Sequence, residues 1–163
     1  SKGQDKYAEN KFAPHSEAQM EELRKILDSH GYPGEQLIGN NYWMSTILSH
    51  HNSISEEYNK KDTIYPELKP KLMQALAKGQ VSPFELALID DWYRTVTKAD
   101  QNASYGMLNP PSKAKLTESN ALRRSVGLRA IELRNSLVDM QEKTGMDFYL
   151  PGNAWIDGKI EIE

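Results

Sequence analysis

Ser82-Pro83-Phe84-Glu85-Leu86-Ala87-Leu88-Ile89-Asp90-Asp91-Trp92-Tyr93-Arg94-Thr95-Val96 is the stretch whose reading decides the fold class. A serine oxygen can accept a free amide at a helix start, and proline at the first helical position has its φ preset and no N–H to leave unpaired. Glutamate two residues later completes a capping pattern. Phe84, Leu88, Trp92 and Val96 then recur every four residues, which predicts an amphipathic helix with those four side chains buried. On that wheel Asp90 falls on the outer face near Arg94, while Asp91 borders the apolar stripe.

The same signals recur on either side. Ser16-Glu17-Ala18-Gln19 reads as a capping box, followed at helical spacing by Met20, Leu23, Ile26, Leu27 and His30. Gly31 and Pro33 end that helix, so His30-Gly31-Tyr32-Pro33 opens a short, defined connection that closes at Gly39. A second helix is expected from Asn40 or Asn41, carrying Trp43, Met44, Ile47 and Leu48 inward, with His50 and His51 continuing these lines toward the interior edge. The polar segment from Asn52 to Asp62 reads as a loop or weak helix. A third helix starts near Pro66 and Pro70, buries Leu68, Leu72, Met73 and Leu76, and stops at Gly79.

Downstream, Asp100 to Lys115 is rich in Asn, Ser, Gly and Pro and contains Tyr105-Gly106. Connections of this length inside a domain are often functional. A helical pattern then runs from Thr117 to Lys143, with a candidate interruption at Gly127 and with Leu122, Val126, Leu133, Leu137 and Met140 inward. Trp155-Ile156-Asp157-Gly158-Lys159-Ile160 sets an Asp-Gly turn between alternating segments, the signature of a hairpin. The expected fold is mainly α: a single-domain, bundle-like helical array over residues 16–163 with a small C-terminal β-hairpin. A flexible N-terminal lead is expected over residues 1–15.

Composition narrows the function classes. Twenty basic and 23 acidic residues, interspersed to a net charge of −3, supply no cationic field for a phosphate backbone, so nucleic acid is not an expected partner. The absence of cysteine removes disulfides, thiolate zinc sites and cysteine nucleophiles. No run approaches the roughly 18 to 20 apolar residues of a transmembrane segment. The polar stretch from Ser1 to Asn10 suits a tether behind a lipid-modified N-terminus, although a serine start fits an otherwise trimmed chain equally. The cell envelope or periplasm is the expected location, the cytoplasm the alternative.

The ordered set His30-Gly31-Tyr32-Pro33, Leu37-Ile38-Gly39, His50 to Asn52, Asp91, Tyr105-Gly106 and Arg124 to Leu128 resembles an uncharacterised family of bacterial helical domains, a domain of unknown function. The family motifs run Gly-Trp-Pro, Val-Gly, His-Ala-Asp, Thr-Asp-Arg, Tyr-Gly-Thr-Gln and Arg-Arg-x-x-x-Gly-Leu, and the likeness spans roughly residues 20 to 130. It implies a helical fold and marks His50, Asp91 and Tyr105-Gly106 as family positions. The chain departs from the pattern with Asn52 for Asp, Trp92 for Arg and Met107-Leu108 for Thr-Gln. Several polar groups of a family site would therefore be missing here.

The candidate ligand-binding residues are His50, Asp91, Tyr105, Gly106 and Tyr32, with the catalytic residues unknown. Neighbouring histidines diverge by about 100° on a helix, so His50 and His51 do not chelate one metal ion. No metal or cofactor is expected. The plain reading of these groups is a hydrogen-bonded rim histidine, a solvated acidic pair and a turn under a tyrosine. The first functional reading is a non-catalytic binding or interaction domain for an unknown protein or small-molecule ligand. The alternative is a hydrolase-like enzyme with His50 as general base, Asp91 orienting it and Tyr105 or the Gly106 amide on the substrate. On either, His50, Asp91 and Tyr105 are expected to line one depression with the Tyr32-Pro33 turn at its rim.

Overall fold

The computed structural model describes residues 6–39, 42–98, 103–152 and 158–163. Among them are eight α-helices and no strand, so the chain is mainly α. It divides into two compact units, Ser1–Ala99 and Asp100–Glu163.

The first unit holds α1 (Ala13–His30), α2 (Glu35–Ile38), α3 (Tyr42–Asn52), α4 (Glu56–Asn59), α5 (Ile64–Ala77) and α6 (Pro83–Thr97). A π-helical turn, Ala8–Phe12, leads into α1. α3 packs against both α6 and α1, and α6 also meets α4 and α5. The α6 start forms as its sequence requires: Ser82 is extended and its side chain accepts from the Glu85 amide at 3.1 Å. The carboxylate of Glu85 is directed elsewhere, accepting from the Tyr32 hydroxyl at 2.6 Å. Tyr32 is buried, so the turn after α1 is bolted to the first turn of α6.

The buried face of α6 differs from the expected stripe. Leu86, Ala87, Ile89, Asp90 and Asp91 are buried, whereas Phe84, Leu88, Trp92 and Val96 are half-buried. A helix covered from several sides buries a wide arc, and Asp90 is drawn in because Tyr65 and Lys69 of α5 both donate to it, at 2.9 Å and 2.8 Å. Trp43, expected inside, is 65% exposed. Asn40 and Asn41, the expected caps of its helix, lie outside the described residues. Ser16, the expected cap of α1, lies inside that helix: α1 begins three residues before it, and Ser16 is buried.

The second unit holds a 3₁₀ turn, Lys113–Lys115, followed by α7 (Leu116–Ser125) and α8 (Ile131–Thr144). The long pattern therefore breaks where Gly127 adopts φ +85°. The break resets the helical phase. α8 buries Ile131, Arg134 and Val138 and leaves Leu133 and Met140 about half exposed, although both were expected inside. The expected C-terminal hairpin is not found among the described residues. Trp155, Ile156 and Asp157 lie outside the described residues, and Gly158 to Glu163 contain no strand.

One glycine is fixed by space. A Cβ on Gly34 would stand 2.8 Å from the carbonyl oxygen of Gln80, a backbone atom that cannot swing aside. A Cβ on Gly39 would meet nothing within 4 Å, although φ there is +69°. Gly34→Ala should therefore lower stability by about 2 kcal/mol, as overpacking does. Gly39→Ala should cost about 1 kcal/mol, from its left-handed backbone alone. Paired urea titrations measure both, and equal losses would contradict the steric account.

Candidate functional site

α3 ends in Ser49-His50-His51-Asn52, and the turn between successive residues sends the two histidines to different places. His51 is completely buried, while His50 is exposed. The expectation that both point to the interior edge thus holds for one of them.

The His51 ring bridges two helices distant in sequence. Its Nδ1 lies 2.9 Å from Ser16 Oγ on α1. Its Nε2 lies 3.3 Å from Asp62 Oδ2, within ion-pair distance but not aligned as a hydrogen bond. Asp62 in turn caps α5, its two oxygens accepting the amides of Ile64 at 2.9 Å and Tyr65 at 3.1 Å. Its side chain is almost fully enclosed. Burial pushes this carboxyl up, but the His51 ring and the two amides outweigh burial and hold it below the ordinary aspartate value. The Tyr58 ring meets His51 edge-on at 5.6 Å, closing the apolar side of the imidazole.

Beside this line sits a second polar set. Asn52 donates to the Ile89 carbonyl of α6 at 2.9 Å, and Asn59 of α4 donates to the Asn52 carbonyl at 2.5 Å. The end of α3 is an orphan carbonyl by geometry, so a side-chain amide from α4 supplies the missing donor.

Two grooves flank the Ser16–His51–Asp62 line. One, of about 510 Å³, is walled by His15, Ser16, His50 and Ser53, with Phe12 and Ile54 as its apolar surfaces. The other, of about 400 Å³, is bordered by Asp62, Tyr58, Glu17 and Lys61, and there the Tyr58 hydroxyl donates to Glu17 at 2.9 Å. Ser16 and Asp62, the two ends of the buried line, thus each edge one groove.

The other candidates are distributed as follows. Asp91 is fully buried on α6. Tyr32 is buried against Glu85. Tyr105 and Gly106 belong to the second unit, where Tyr105 is buried, its carbonyl accepts from Arg123, and the Gly106 amide donates to Ser104 Oγ at 3.1 Å. His50 lines the first of these grooves, and Tyr32 lines a separate one of about 300 Å³ with Leu27, Asp28 and Lys71. No group of three or more His, Cys, Asp or Glu side chains suited to a metal ion occurs among the described residues. No described helix is long and apolar enough to cross a membrane.

Sequence reasoning did not find Ser16, Asp62 or Asn59. Asp62 carried a usable signal, an acidic residue just ahead of the Pro66 helix, which is where an N-cap belongs. Comparison with family models, with curated proteins and with solved structures gives no match, so the site rests on these residues and distances.

Asp62, its pKa depressed by folding, contributes stability that is fully present above the unfolded aspartate value of about 4 and is lost as pH falls through the lower folded value. Asp62→Asn should flatten that acid limb of the stability curve in urea titrations at stepped pH. His51→Ala, which removes a packed ring, takes the partner from Ser16 and leaves Asp62 with its two amides alone, should cost about 3 kcal/mol at neutral pH.

Proposed function

We propose that the chain is a non-catalytic binding domain whose ligand lies in the His50 groove. The observation that carries this reading is the groove's make-up: two imidazoles and the hydroxyl groups of Ser16 and Ser53 share its lining with the exposed ring of Phe12 and with Ile54. Such a mixture suits a small amphipathic ligand with an apolar body and a hydrogen-bonding head. The cell envelope is the proposed place of action, supported by the polar lead-in of the sequence.

Burial supports the non-catalytic side. Asp91, which a hydrolase would need beside His50 as an orienting group, sits in the α6 core with no solvent exposure. The Ser16–His51–Asp62 line is the one feature that favours the hydrolase alternative. In it, however, serine meets Nδ1 and the carboxylate Nε2. A serine nucleophile relay has its serine on Nε2 and its carboxylate on Nδ1. The ring is also sealed from solvent.

An aromatic carboxylate such as phenylacetate serves as the probe. Titrated into the protein, it should shift the imidazole proton resonances of His50 and His15, and His50→Ala should abolish binding while changing stability by no more than about 0.5 kcal/mol, as befits an exposed position. Covalent labelling of Ser16 by a fluorophosphonate would sink the non-catalytic reading.

A further inference from the structure

In the second unit the segment Gly158-Lys159-Ile160-Glu161-Ile162-Glu163 bends at Gly158, where φ is +91°, and forms neither helix nor strand. Its backbone is held by side chains and by a loop. Asn135 on α8 holds both backbone polar groups of Ile160: the side-chain Nδ2 donates to the Ile160 carbonyl at 2.8 Å and the Oδ1 accepts the Ile160 amide at 2.8 Å. One helical position earlier, the buried guanidinium of Arg134 donates to the Gly158 carbonyl. At the far end, the Glu163 amide donates to Pro111 O at 3.1 Å and its carbonyl accepts the Lys113 amide.

Between these holds lies one apolar seat. Ile160 is 4% exposed, and a Cβ on Gly106 would fall 2.9 Å from its Cγ2, so glycine at 106 is what lets the side chain in. Ile131 of α8, fully buried, closes the same seat. Lys159 reaches outward to Asp139.

This is how a surface recognises an extended peptide: main-chain bonds that are indifferent to sequence, plus one specificity pocket. We propose that the Asn135 face of the second unit is a peptide-binding groove, occupied by residues 158–163 as an internal ligand that a second extended peptide displaces. The displacing partner carries an aliphatic side chain flanked by charged residues, as Lys159-Ile160-Glu161 does. Gly106 and Asn135 are then the specificity-determining and backbone-reading residues of the site, which is independent of the His50 groove.

The test uses the full chain and a fluorescent peptide of sequence Gly-Lys-Ile-Glu-Ile-Glu, followed by anisotropy. Ile160→Asp in the protein should expel the internal segment and raise the competent fraction, tightening peptide binding by about tenfold or more over the wild type. Asn135→Ala placed on top should abolish it, and a peptide bearing the same Ile-to-Asp change should not bind. In the wild type, hydrogen exchange at the Ile160 and Glu163 amides should run well ahead of that at Val138 in α8, as release of the segment alone requires. No binding to a folded Ile160→Asp chain, or binding that survives Asn135→Ala, overturns the proposal. Loss of helical circular dichroism on Ile160→Asp, or exchange at Ile160 as slow as at Val138, would make the segment part of the core and overturn it equally. A wild-type dimer that excludes the peptide would assign the groove to the segment of a second copy.

Discussion

The first unit depends on one fully enclosed imidazole. A buried polar ring without partners would destabilise the fold by a few kcal/mol, so His51 is tolerable only while Ser16 and Asp62 stand on its two nitrogens. Those partners come from α1 and from the cap of α5, and the histidine itself comes from the end of α3. Three helices are thereby set in register by one side chain. Because Asp62 also accepts two amides that begin α5, the same carboxylate decides where that helix starts and where α3 meets it. Apolar packing of Met20, Leu48, Leu68 and Leu72 supplies bulk burial. It does not by itself choose a rotation for each helix, whereas a hydrogen-bonded ring does.

The second unit solves a different problem with a similar device. It is short of helices, and its loop from Ala103 to Pro111 must satisfy many backbone groups in the interior. Buried arginine and asparagine side chains do this. Arg123 donates to the carbonyls of Tyr105 and Arg129. Asn120 accepts the Ile131 amide at 2.9 Å, which provides the start of α8 with a partner that Ala130, its N-cap residue, lacks in its own side chain. Desolvation lowers the pKa of the Arg134 guanidinium, and its donors go to the backbone carbonyls of Pro151 and Gly158. Charge-assisted bonds of this sort are stronger than neutral ones, which suits segments that have no ladder to hold them.

Helix existence was legible in the sequence, helix rotation was not. The Ser82-Pro83 start and the glycine stops at Gly79 and Gly145 are local chemistry and formed as read. Trp43, Leu133 and Met140 were placed inside by periodicity and lie largely outside. Periodicity reports which residues share a face, not which face a neighbour covers, and one glycine at 127 was enough to reset the phase. Ser16 shows a sharper limit, since the spacing that marks a cap also describes a serine one turn inside a helix whose hydroxyl meets a ring 35 positions away. His50 was singled out because a histidine at an apolar–polar boundary is visible in one helix. The His51–Asp62 pair was not, because its geometry arises only when α3 and α5 pack.

The buried line also determines what the neighbouring groove offers. With the Asp62 carboxylate 3.3 Å from Nε2, the tautomer with the ring proton on that nitrogen presents Nδ1 as an acceptor. Ser16 then has to be the donor in its bond to the ring. Its hydroxyl proton is committed inward, and the lone pairs that remain are the polar character it contributes to the groove wall it shares with His15 and His50. Ser16 thus lends the wall acceptor character, while the imidazole N–H groups of His15 and His50 beside it are the donors available to an acceptor head such as a carboxylate. The orientation of that acceptor is set through the ring by Asp62, at the edge of the second groove.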